Sequence, residues 1–141
     1  MNEEAAFEIL EHTADVGLRA HAPDQVQLFV ALALGMTSLM TNPEQIKPHE
    51  TRQIEIEAED KEALLVEWLN ELIYLVETEG LVFREYAILK LSDTSLSAEV
   101  RGEKLDESRH ELKAQIKACT YYDLLIKKED SGWYGQVVLD V

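Results

Sequence analysis

Cysteine is almost missing from this chain. Cys119 stands alone among 141 residues, so no internal disulfide can form, and its apolar neighbours mark it as a reduced core residue. Lysine and arginine are also scarce, 13 against 28 aspartates and glutamates, for a net charge of −15. Affinity for nucleic acid depends on Lys and Arg neutralising phosphates, so strong direct binding of RNA or DNA is not expected. An acidic surface suits a basic protein partner or divalent cations, though solubility accounts for most of the charge. No apolar run approaches the roughly 18 residues that a membrane helix requires. The opening "MNEEAAFEIL" is acidic and unlike a secretory leader. The expected location is therefore the cytoplasm, away from membranes.

Catalytic signatures are lacking too. HExxH, CxxC, an EF-hand loop and a glycine-rich phosphate loop do not occur, and none of the serines sits in a nucleophile elbow. What is present is an ordinary globular composition, 46% apolar and 29% charged, at a length that fits one domain over residues 1–141.

Hydrophobic periodicity divides the chain into strands and helices. Residues 7–22 read as two strand segments, with Val16, Leu18 and Ala20 alternating against Gly17, Arg19 and His21. Pro23-Asp24 opens a helix whose Val26, Phe29, Val30, Ala33, Thr37 and Met40 recur at helical spacing. "TNPEQIKPHE" is a loop and "RQIEIEA" a short strand. Asp60 stands at a helix N-cap position, ahead of a stripe formed by Leu64, Leu65, Trp68, Leu69, Leu72, Leu75 and Val76, and Gly80 ends that helix.

The remainder is β-rich. "LVFREYAILKL" and "SLSAEVRG" form a hairpin through Ser92-Asp93-Thr94, and "GEKLDESRHE" is a charged connector. Leu112, Ala114, Ile116 and Ala118 alternate against Lys113, Gln115 and Lys117, which predicts a strand starting near residue 112. "WYGQVVLDV" is the last strand. The expectation is an α+β domain: two main helices packed on a mostly antiparallel sheet.

Within the first strand pair, "EILEHTADVGLRAHA" carries an unexpected polar cluster, His12, Thr13 and Asp15. At the other end the chain stops inside a strand, where Asp140 and the terminal carboxylate of Val141 adjoin. Asp15, Asp140 and Val141 offer only hard oxygen donors, which suit Ca²⁺ or Mg²⁺ rather than zinc. Spacing alone does not bring residues 15 and 140 together. Two other readings compete. Asp15 and Thr13 could satisfy backbone groups at a strand corner. His12 could act as a general base beside Asp15, as in a metal-dependent hydrolase. Asp60 is most simply an N-cap, with facing a cation as the alternative. Lys113 and Lys117 read as a solvated strand face, Tyr121-Tyr122 as core and rim, and His21, His49 and His110 show no ligand spacing.

"EHTADVGLRA", "LLVEWLNELIYLVETEGLVF", "GEKLDESRHELKAQIKACTYYDL" and the closing "VVLDV" together resemble the archease family, in order and over nearly the whole chain. The resemblance implies a small cytosolic α+β protein that assists the GTP-dependent RNA ligase of tRNA splicing. Such a protein promotes guanylylation of the ligase's histidine and multiple turnover, as an accessory factor and not as the catalyst; archeases have also been viewed as chaperone-like. It implies a divalent-metal site formed by Asp15, Asp140 and Val141, with Asp60 matching a further acidic position. The expected cation is Ca²⁺, ahead of Mg²⁺ or Mn²⁺. One departure stands out: where the family commonly reads T-Y-H-D-L, this chain has Tyr122, so any role of that imidazole is missing here. A divalent ion would also relieve a cost, because two carboxylates about 5 Å apart repel by roughly 3 kcal/mol at an effective dielectric near 20.

Overall fold

The computed structural model describes residues 5–11 and 15–141. Two helices lie between two antiparallel sheets. Strands β1 (Ala6–Glu11), β2 (Asp15–Ala22), β7 (Gly132–Asp140) and β6 (Ala118–Glu129) form a four-stranded sheet in the order β1-β2-β7-β6. Strands β3 (Glu50–Glu57), β5 (Ser95–Lys104) and β4 (Leu81–Leu91) form a three-stranded sheet in the order β3-β5-β4. The fold class is α+β, as expected, but the sheet is split in two. Alternation reveals which side chains face inward; it carries no information on which strands pair.

The strand pair at the N-terminus is a reversal. β1 and β2 run antiparallel, with Glu11 opposite Val16. His12 and Thr13 lie outside the described residues.

Helix α1 (Gln25–Met40) begins at Asp24, whose carboxylate accepts the Gln27 N–H at 2.8 Å. Helix α2 (Lys61–Glu79) begins at Asp60, which accepts the Ala63 N–H at 2.8 Å, and ends at Gly80 with φ 68°. Glycine populates that left-handed region without a Cβ penalty. Both helices touch both sheets. A Cβ on Gly135 of β7 would meet Leu28 and Leu32 of α1, while one on Gly35 of α1 would strike Leu18 of β2 and Phe7 of β1. Toward the second sheet, Trp68 of α2 is fully buried, meets Tyr86 of β4 edge to face at 6.1 Å, and donates its indole N–H to Phe29 O at 3.0 Å. That bond satisfies the one polar atom of the largest core side chain.

One predicted strand is shorter than its alternation suggested. β6 starts at Ala118, and residues 111–117 belong to no strand. Their backbone bonds go elsewhere: Lys113 N–H and Ala114 N–H donate to Met40 O and Leu39 O at the end of α1, at 2.9 and 3.0 Å. The unpaired carbonyls of a helix C-terminus thus compete successfully for this segment.

Candidate functional site

In the β2–β7 ladder Asp15 stands directly opposite Asp140, and on the far side of β7 Ala118 stands opposite Asp140 as well. Directly opposed residues in an antiparallel pair share a face, with Cβ atoms about 4.5–5.5 Å apart. That face points away from the helices. Val16 and Leu139 form the next pair, and Leu139 is fully buried in the core, so the neighbouring Asp15–Asp140 pair projects from the opposite side. Asp15 is half-buried and its Oδ1 is closed to solvent, whereas Asp140 is exposed. Val141 follows at the strand's end, about one-third exposed. The end of β7 is also tied to the connector before β6, because Lys117 N–H donates to Asp140 O at 2.8 Å.

These donors fit a hard divalent cation in kind. Two carboxylates sit on adjacent strands, one of them partly desolvated, and Val141 follows one residue after Asp140. Among the described residues no group of three or more His, Cys, Asp or Glu side chains is placed to hold a metal.

Asp60, the fourth residue expected here, is not brought to the corner. Its carboxylate caps α2, and the adjacent Lys61 ammonium lies 5.0 Å from the Trp133 ring, at the other end of β7 from Asp140. The part of α2 near the corner is Asn70, which exchanges hydrogen bonds with Cys119. Ten residues of helix separate Asp60 from Asn70, about 15 Å. Asp60 is an N-cap.

Cys119 is 4% exposed, and burial pushes its thiol up to about 12. It is a core residue, as its neighbours suggested. Tyr121 and Tyr122 are not core: they are 59% and 65% exposed. They occupy a bulge of β6 between Thr120 and Leu125, where Asp123 adopts φ 52°.

The connector holds a cluster that the sequence reading missed. Glu103 is 6% exposed and His110 3%. One Glu103 oxygen accepts from Arg109 at 2.6 Å; the other accepts from Lys47 N–H at 2.7 Å and His110 Nε2 at 2.9 Å. His110 Nδ1 accepts the Asp106 N–H at 2.8 Å, which puts the ring proton on Nε2, toward Glu103. Burial alone would raise the Glu103 carboxyl, but the Arg109, Lys47 and His110 donors outweigh it and hold the group at about 2. The available signal was the spacing of Glu103, Arg109 and His110 within one short connector, which is indistinguishable from a solvated charge run until the fold buries it.

The sequence pattern of the archease protein family matches residues 7–141. The chain belongs to the archease family. It is 39% identical to an archease of Pyrococcus abyssi and 40% identical to one of Thermococcus kodakarensis, each alignment covering 96% of this chain and 98% of the relative. Among solved structures, it resembles protein 1598 of Methanobacterium thermoautotrophicum, with a TM-score of 0.79 at 31% identity, covering 96% of this chain and 99% of that one. It also shares the fold of a Thermotoga maritima archease described as a possible chaperone, with a TM-score of 0.61 at 19% identity over 95% of this chain and 96% of that one. Among the described residues of this archease, no helix is long and apolar enough to cross a membrane.

Proposed function

We propose that this archease is an accessory factor of the GTP-dependent RNA ligase of tRNA splicing, promoting guanylylation of the ligase's histidine and allowing multiple turnover. The observation that carries the reading is the direct pairing of Asp15 with Asp140 across β2 and β7. Like charges placed opposite one another cost stability, and a cation held between them removes that cost. Asp15 and Asp140 would supply side-chain oxygens and Val141 a main-chain oxygen. Hard, oxygen-only donors favour Ca²⁺, with Mg²⁺ or Mn²⁺ as alternatives.

A bound ion would supply positive charge beside the end of β7. The chain's own residues have positioning roles. Asp15 and Asp140 join the ends of β2 and β7, and Lys117 N–H holds the Asp140 carbonyl so that the strand end is kept in place. Catalysis belongs to the partner in this account, since the one thiol of the chain is buried and protonated at neutral pH.

The test is RNA ligation by the ligase under multiple-turnover conditions, with this protein, without it, and with this protein alone. Product in excess of ligase only when both are present supports the proposal. Ligation or phosphate-ester hydrolysis by this protein alone would favour an independent metal-dependent hydrolase. No effect on the ligase, with protection of unrelated unfolded proteins, would favour a general chaperone-like module.

A further inference from the structure

Three tyrosine rings are open to solvent around the outer edge of the four-stranded sheet: Tyr74 on α2 is 57% exposed, alongside Tyr121 and Tyr122 of the β6 bulge at 59% and 65%. β6 is the terminal strand of that sheet, and α2 lies along it. Asn70 donates to Cys119 O at 3.2 Å and accepts from Cys119 N–H at 2.8 Å, as a neighbouring strand would. Glu67, Glu71 and Tyr74 share the outer stripe of α2 at spacings of four and three residues. Tyr121 lies toward the N-terminal end of this stripe, near Glu67 and Asp60. Burial first, then the charges of Glu67, Asp60 and Glu59, raise its phenol. Burial first, then Glu67, raises the Glu71 carboxyl as well.

This edge has aromatic faces and uncompensated negative charge. Among the described residues, no Lys, Arg or His forms an ion pair with Glu59, Glu67 or Glu71, although Glu8, Glu50, Glu79, Glu99, Glu103 and Glu129 all have such partners. Glu67 and Glu71 are like charges at i, i+4, an arrangement that disfavours the isolated helix. Phosphates would be repelled here. A guanidinium would not: its planar fork pairs with carboxylates and its face stacks on phenol rings, which the compact, strongly hydrated lysine ammonium does less well. The edge also adjoins the carboxylate corner, because Cys119 follows Ala118, the residue opposite Asp140.

The geometry points to the α2–β6 edge as the docking surface for an arginine-bearing segment of a protein partner, with Glu67 and Glu71 pairing its guanidinium groups and Tyr74 and Tyr121 stacking on them. Asp60 stays committed to its cap. If the partner is the ligase, this segment sets the approach that brings the carboxylate corner to the ligase's active site. That clause rests on the proposed function; the surface itself does not.

The test uses the full chain labelled with ¹⁵N and titrated with a nona-arginine peptide, a nona-lysine peptide and a single-stranded RNA oligonucleotide. Expected are shifts centred on Glu67, Glu71, Tyr74 and Tyr121 with nona-arginine, weaker ones with nona-lysine and none there with RNA. Affinity for nona-arginine should fall about tenfold in Glu67→Gln/Glu71→Gln and in Tyr121→Ala, all three positions being at the surface. Shifts spread evenly over the acidic surface, equal binding of both peptides, or variants that bind as the parent does would overturn the proposal. In a second arm, nona-arginine should compete with ligase activation. If the protein does not activate the ligase but the peptide still maps to this edge, the proposed function fails and the docking surface stands.

Discussion

Replacing Glu103 by Gln should reveal how much the buried connector cluster contributes. The carboxylate accepts three short hydrogen bonds, from Arg109 at 2.6 Å, Lys47 N–H at 2.7 Å and His110 at 2.9 Å. An amide keeps one acceptor oxygen and turns an NH₂ group toward the remaining donors. It also leaves Arg109 without its closest counter-charge. Breaking a buried, hydrogen-bonded charge pair on one side costs about 3–5 kcal/mol. The depressed carboxyl gives a consistent figure: a fall from 4.5 to about 2 is worth about 3 kcal/mol, at about 1.4 kcal/mol per pH unit. At this chain length, that corresponds to a fall of about 10 °C in the melting temperature.

The sign of the pH dependence follows from the direction of the shift. A carboxyl lowered by folding stabilises fully above its ordinary value near 4.5 and loses that contribution as the pH falls through about 2. Thermal melts by circular dichroism should therefore show parent and Glu103→Gln far apart at pH 7 and converging between about pH 4.5 and 2. A gap below about 2 °C at pH 7, or one that stays constant down to pH 2, would refute the reasoning.

Other consequences are simpler. Asp60→Ala removes the α2 cap and should cost about 1 kcal/mol in a denaturant titration, yet leave calcium affinity unchanged by calorimetry, because Asp60 sits away from the corner. The Cys119 thiol, pushed up to about 12, should react with a disulfide reagent at pH 8 more than a hundredfold more slowly in the folded protein than in urea. Gly102→Ala should fail to fold or lose at least about 3 kcal/mol, read by the same denaturant titration, since the added Cβ would lie 1.8 Å from Val82 O in the adjoining strand.

Much of the fold was legible because local signals agreed with one another. For α2, the Asp60 cap, the apolar stripe from Leu64 to Leu75 and Gly80 all named the same element, and the structure contains it. The segment from Leu112 to Ile116 misled because its alternation is genuine, while its hydrogen bonds go to the carbonyls of Leu39 and Met40, a tertiary choice that periodicity does not encode. The division into two sheets was hidden for the same reason. At the site, the chemistry of Asp15 and Asp140 was readable from residue type, but their meeting depends on register between strands at opposite ends of the chain. Asp60 shared their charge and not their location. Glu103 and His110 looked like solvated connector residues, since burial by Lys47 and Arg109 is visible only in three dimensions.

The activating role proposed for the paired carboxylates of β2 and β7 is open to a direct test. The most direct measurement is the number of RNA products formed per ligase molecule with the parent protein and with Asp15→Asn/Asp140→Asn, the variant first shown to melt as a folded protein. Expected are many products per ligase with the parent and about one or fewer with the variant, as for ligase alone. A folded double variant that sustains the parent's turnover would contradict it.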